Sequence, residues 1–419
     1  MDEKHIIHRV EFTPEMKKTH TILVPDMLPV HFKFLCKIFG QAGYKLEHLT
    51  NSGRAVVDAG LKYVHNDTCY PALLVIGQFI NALDSGKYDL NKVAVLITQT
   101  GGGCRASNYL NLMRKAFIKA GYGHIPIISL NVAGLEKNSG FKLTLDMIPK
   151  ALGAVSYGDL LMLLDEQVRT YEINKGDSRA LLDKWVNELC DDFEKNRSLT
   201  NGAMKKKMKE IVLSFANIPI KRFDAVKVGV VGEIFVKYSP LANNDLEEFL
   251  VSQGCEVMVP GLMGFLLYCI EDTRQDYKLY GGSYIELKAY DLVKSYIKTI
   301  EKILIEAVEQ NSDFTAPMYH DDVRDLCEPV IGFGCKMGEG WFLTAEMLEL
   351  AHHGYENIIC TQPFGCLPNH ISGKGMVRKV KEAAPNANIV SIDYDPGATK
   401  VNQENRIKLM LAVARENQN

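Results

Sequence analysis

Along the first third of the chain, short apolar runs alternate with amphipathic stretches. Thr21-Ile22-Leu23-Val24-Pro25 reads as a strand, and His31 to Gly43 as an amphipathic helix ended by glycine. Ala72 to Leu83 has helical periodicity, and Val93-Ala94-Val95-Leu96-Ile97 is the continuous apolar run of a strand covered on both faces. A helix over Ser107 to Ala120 and a strand over Ile125 to Leu130 complete this half. Strands separated by helices imply parallel βαβ units.

The rhythm breaks between about residues 158 and 222. Leu160 to Arg169, Leu181 to Phe193 and Met204 to Ala216 all read as helices with charges on their outward faces. A second α/β cycle opens at Val226 to Gly232. It continues through a helix at Asp245 to Gln253, a strand at Glu256 to Pro260 and a long helix at Ser295 to Val308. A helix at Phe342 to His352, strands at Asn357 to Cys360 and Asn388 to Asp393, and helices near Gly375 to Ala383 and Glu404 to Glu416 follow. The predicted class is α/β, with two doubly wound parallel-sheet domains of flavodoxin or Rossmann type joined by a helical segment. The domains are 1–157, 158–222 as the connection, and 223–419. The two α/β halves read as internally related. A strand leads into Thr98-Gln99, a glycine-rich turn and Gly103-Cys104; another leads into Thr361-Gln362, a turn and Gly365-Cys366. Ligands of open α/β sheets bind just beyond strand carboxyl ends, which is where both segments fall.

The 419 residues exceed one ordinary core and suit two domains of about 150–200 residues each. A formal charge of −3 offers no basis for nucleic acid or an anionic membrane as partner, and the Lys205, Lys206, Lys207, Lys209 cluster reads as a solvated helix face. The start Met1-Asp2-Glu3-Lys4-His5 is polar, and no apolar run is expected to reach the ~20 residues of a membrane helix, so a cytoplasmic location is expected. In a reducing compartment ten cysteines point to buried thiols, a nucleophile or metal ligation rather than disulfides.

Five of the ten stand out by context. Cys69 precedes Tyr70-Pro71, Cys104 follows Gly101-Gly102-Gly103, Cys335 sits among Gly332, Gly334, Gly338 and Gly340, and Cys360 and Cys366 flank Thr361-Gln362-Pro363-Phe364-Gly365. Helix starts stabilise thiolates, and glycine lets successive backbone amides turn toward sulfur. Cys36, Cys190, Cys255 and Cys269 fall in helix or strand patterns and read as packing residues, with Cys327 between the two groups. No Cys-x-x-Cys occurs, so zinc-ribbon and ferredoxin spacings are absent. Gly332-x-Gly334-x-x-x-Gly338 does not match a dinucleotide fingerprint, and no ATP site is expected in this chain. His65, His370 and Glu339, near the cysteine loops, are the candidate proton donors.

The segments Asn66 to Ala72, Thr98 to Tyr109 (TQTGGGCRASNY), Gly338-Glu339-Gly340-Trp341, Gln362 to His370 (QPFGCLPNH) and Ile392 to Gly397 (IDYDPG) together resemble the 2-hydroxyacyl-CoA dehydratase and benzoyl-CoA reductase superfamily. The likeness is nearest to its double-cubane cluster proteins, including the dehydratase-like part of fused activase-related proteins. It implies two similar α/β domains with an iron–sulfur cluster in the cleft, either a four-iron cubane or an eight-iron double cubane. It also implies a homodimer, a small-molecule substrate, and a separate ATP-hydrolysing activase, itself carrying an iron–sulfur cluster, as electron donor. Cys69, Cys104 and Cys366 match the family's cysteine positions. Cys360 fits as an additional ligand and Cys335 is the next candidate, while Gly103, Arg105 and Gly365 would border the cofactor. Two other readings remain open: a cluster carrier without its own substrate, and a cysteine-nucleophile enzyme centred on Cys104.

Overall fold

The computed structural model describes residues 9–65, 67–98, 103–130 and 138–418. The polar start, Asn66, Gln99, Gly101 and Gly102 lie outside the described residues. The first half runs α1 (Met16–Thr19), β1 (Thr21–Val24), α2 (Pro29–Gln41), β2 (Lys45–His48), α3 (Arg54–Tyr63), α4 (Tyr70–Asp84), β3 (Val93–Thr98), α5 (Tyr109–Ala120) and β4 (Ile127–Leu130). Three helices follow: α6 (Met147–Arg169), α7 (Asp177–Glu194) and α8 (Asn201–Ala216). The second half runs β5 (Val226–Gly232), α9 (Ile234–Tyr238), α10 (Pro240–Asn243), α11 (Leu246–Ser252), β6 (Cys255–Met258), α12 (Leu262–Tyr280) and α13 (Tyr284–Glu309). It ends with α14 (His320–Cys327), α15 (Gly340–His352), β7 (Asn357–Pro363), α16 (Leu367–Ser372), α17 (Val377–Ala383), β8 (Asn388–Tyr394) and α18 (Lys400–Gln418).

Both sheets are four-stranded and all parallel. Their orders, β2-β1-β3-β4 and β6-β5-β7-β8, are the same once the strands of each half are counted from its start. The shared order gives the suspected kinship of the halves a structural form: β3 and β7, the strands that lead into Cys104 and Cys366, occupy equivalent places. Val93 to Ile97 are all buried, as are Val228 to Gly232, because helices cover both faces of each sheet.

Helix α6 differs from expectation at two points. It starts at Met147, so a boundary at residue 157 would fall inside it. It is also the one described helix long and apolar enough to cross a membrane by length and composition, where no such run was expected; two-thirds of that stretch is buried inside the fold. Its glycines permit close packing rather than breaking the helix. A Cβ on Gly158 would lie 2.5 Å from His31 Nε2, and one on Gly153 would lie 3.2 Å from the Phe193 ring. Asp159 on α6 links the halves: its carboxylate lies 2.8 Å from His31 Nε2 of α2 and accepts the backbone N–H groups of Leu262 (2.9 Å) and Met263 (2.7 Å) at the start of α12. In the lysine cluster on α8, Lys205, Lys206 and Lys209 are exposed, while Lys207 is half-buried against Glu188.

Candidate functional site

A cavity of about 880 Å³ opens between the halves. Four of the five singled-out cysteines line it: Cys69 and Cys104 from the first half, Cys335 and Cys366 from the second. Their segments are joined across the cleft, since Tyr70 N–H donates to the Phe364 carbonyl at 3.0 Å. Arg105 Nη1 donates to the Asp67 carbonyl at 2.6 Å, which ties the Cys104 loop to the Cys69 loop.

Local sequence explains how the sulfurs are aimed. Cys69 caps α4 and Cys366 caps α16, and in both cases proline occupies the second helical position, where a missing N–H leaves no bond unmade. Cys104 precedes the 3₁₀ turn Arg105–Asn108, which runs directly into α5. Cys335 sits in a loop that Trp341 N–H secures through a 2.6 Å bond to the Cys335 carbonyl. Gly340 beside it, at φ 47°, leaves no room for a side chain, since a Cβ would lie 2.5 Å from that same carbonyl.

Gly365 is a second position that demands glycine. It sits at φ 75°, and a Cβ there would come within 3.1 Å of Cys69 Cα. Gly365→Ala is expected to push the Cys69 and Cys366 loops apart and to lower stability by about 1–2 kcal/mol from the backbone conformation alone. Gly103→Ala, by contrast, would meet only the flexible Met337 thioether, with Sδ 2.3 Å from the added Cβ. Thermal melts of the two variants test the contrast. Equal destabilisation would show that neither the positive φ nor the close approach to Cys69 sets Gly365 apart.

Burial governs the ionisation of the thiols. It raises Cys69 to about 11 against the opposing hydrogen bond from Tyr109, and it raises Cys104, Cys335 and Cys366 as well. A bare nucleophile needs the opposite shift. Ligation to a metal centre deprotonates such thiols outright, so the same burial is compatible with ligands. Among the described residues His370 is the histidine lining the cavity, and its Nδ1 lies 2.7 Å from Gln362 Nε2 rather than on a cysteine. The arrangement disfavours the nucleophile reading of Cys104.

Two expected site residues lie elsewhere. Cys360 is not in a loop, because β7 continues to Pro363 through pairing with β8; it is fully buried and does not line the cavity, and its sulfur lies 3.9 Å from Asn369 Oδ1. His65 is exposed beside Asp67 (3.4 Å) and does not line the cavity either. Glu339, Gly103, Arg105, Gly365 and His370 do line it.

The cavity also holds groups that sequence reasoning passed over. Glu233 follows the buried end of β5 and caps α9, accepting Val236 N–H at 2.9 Å, while Glu339 accepts the neighbouring Ile234 N–H at 3.0 Å. Burial, reinforced by the Glu339 charge, pushes Glu233 up to about 8, and burial raises Glu339 too. Asp272 on α12 accepts the Trp341 indole N–H at 3.1 Å and is raised by burial to about 7. Cys269, assigned to packing by its helical context, is exposed toward the cavity and adds a fifth sulfur. The signal available for Glu233 was its place directly after a buried strand; Cys269 had none.

Among the described residues no three His, Cys, Asp or Glu side chains converge tightly enough to hold a single metal ion. The cysteines line one cavity without forming such a group. No protein-family model matches this chain and no curated protein matches it significantly, so what the site does rests on its own side chains.

Proposed function

We propose that Cys69, Cys104, Cys335 and Cys366 hold an iron–sulfur cluster, and that the chain is a low-potential reductase of the 2-hydroxyacyl-CoA dehydratase type. On this reading each sheet is a doubly wound, flavodoxin-like unit, and a separate ATP-hydrolysing activase supplies the electrons. The observation that carries the reading is that cysteines from four distant stretches of sequence line one cavity. Four thiolates suffice for a four-iron cubane. The double cubane would need Cys269 and a further ligand besides.

The cluster, when bound, would supply one-electron reduction at low potential. The chain's own groups do the rest. Burial and the Glu339 charge raise Glu233, which favours a protonated carboxyl, and it faces the cavity beside Glu339. A substrate reduced there can take that proton at a developing carbanion or at a leaving hydroxyl. The Tyr268 hydroxyl lies 2.8 Å and 3.0 Å from the Lys336 and Gly338 carbonyls, which fixes the loop bearing Cys335 and Glu339. Lys336 is paired with Asp276 at the cavity wall. A cavity of about 880 Å³ lined by carboxylates as well as cysteines favours an enzyme over a cluster carrier, because a carrier needs no room for substrate.

Anaerobic purification with iron and sulfide quantitation, and EPR of the reduced protein, tests the reading. About four irons per chain is the expected result and about eight indicates the larger cluster. A folded protein that takes up no iron under these conditions overturns the proposal.

A further inference from the structure

Tyr109 is the first residue of α5 and follows Cys104 through a single 3₁₀ turn. Its hydroxyl lies 2.7 Å from Cys69 Sγ and it lines the cavity. The phenol thus reaches from the Cys104 loop to the sulfur of the Cys69 loop. Between two neutral groups either atom can donate. A ligating sulfur has lost its proton and can only accept, which leaves the phenol O–H as donor.

We propose that Tyr109 is a potential-setting residue, whose O–H donates to Cys69 Sγ and makes the cluster easier to reduce. The inference rests on the cluster reading above. Its physical basis is charge: the added electron increases negative charge on the cluster and its sulfurs. A fixed hydrogen-bond donor stabilises the reduced state more than the oxidised one. No bond is made or broken at the tyrosine, and its proton stays on the phenol oxygen. The aromatic ring supplies the wall, and the hydroxyl alone supplies the effect.

Tyr109→Phe removes the hydroxyl and keeps the ring. The measurement is an EPR-monitored redox titration of the anaerobically purified protein, with iron content and circular dichroism recorded on the same samples. The expected result is unchanged iron and fold with the electron-acceptance equilibrium about tenfold weaker, a shift of about 59 mV to more negative potential for one electron. An unchanged potential in an iron-loaded variant overturns the tuning role and leaves the cluster reading intact. Loss of iron from the variant also overturns it, by making Tyr109 a purely structural clamp. Absence of iron from the wild-type protein overturns the cluster reading, and this inference with it.

Discussion

Cys366→Ser is expected to strip the protein of most of its iron, whereas Cys360→Ser leaves the iron content nearly unchanged. The two cysteines are six residues apart, and the sequence made both of them candidate ligands, Cys366 by its family position and Cys360 as an addition. Their surroundings differ. Cys366 caps α16 at the cavity wall, next to the glycine that presses on Cys69. A serine oxygen there is a poorer ligand for iron than thiolate sulfur, and burial disfavours its ionisation further. Cys360 lies in the centre of the second sheet with no exposure, and its sulfur is 3.9 Å from Asn369 Oδ1, too far for the shorter serine hydroxyl to reach that acceptor. The penalty at position 360 is therefore one of stability, about 1–3 kcal/mol, and not of loading. Iron and sulfide analysis of both variants beside the wild type decides the matter. Full loading of Cys366→Ser would remove that residue from the ligand set, and iron loss from a folded Cys360→Ser would bring Cys360 into it.

The same pair shows how far the sequence could be read. The apolar stretch Asn357 to Cys360 marks a strand, and the polar Thr361-Gln362-Pro363 reads as its end. The strand goes on, because Cys360 to Pro363 pair in register with Ser391 to Tyr394, and backbone pairing does not depend on side-chain polarity. Strands covered on both faces, such as Val93 to Ile97, were legible at once as unbroken apolar runs. The edge strand Lys45–His48 was not, since it is short and its residues are only partly buried. Helix α3 (Arg54–Tyr63) was also missed, and the first part of α6 was hidden by Pro149, Gly153 and Gly158, residues that usually interrupt helices. At Gly158 the missing side chain instead makes room for His31 from α2, a contact 127 residues away in sequence that no local pattern announces. Site residues followed the same division. Cysteines beside glycine or proline were visible, whereas Cys269 looked like any other helix residue and Glu233 needed its position after β5 to be known.

The acids at the cavity depend in turn on a buried ion pair behind them. Lys237 Nζ lies 2.7 Å from Glu346 Oε1, and both side chains are almost fully buried, at 3% and 2% exposure. Lys237 belongs to α9, which Glu233 caps, and Glu346 to α15, which Glu339 precedes. The pair therefore clamps together the two helices that aim those carboxyls into the cavity, and the Lys237 charge opposes the upward shift of both. Lys237→Met removes one partner and leaves Glu346 buried among like charges. Such an orphaned charge destabilises a fold by about 3–5 kcal/mol. Lys237→Met combined with Glu346→Leu removes both charges and keeps the volume, and it is expected to recover most of that loss, because an apolar pair needs no desolvation. Denaturant unfolding of the wild type, both single variants and the double variant measures the coupling. If Lys237→Met alone unfolds within about 1 kcal/mol of the wild type, the Glu346 charge is being met by something other than Lys237, and the clamp between α9 and α15 is not what holds Glu233 and Glu339 in place.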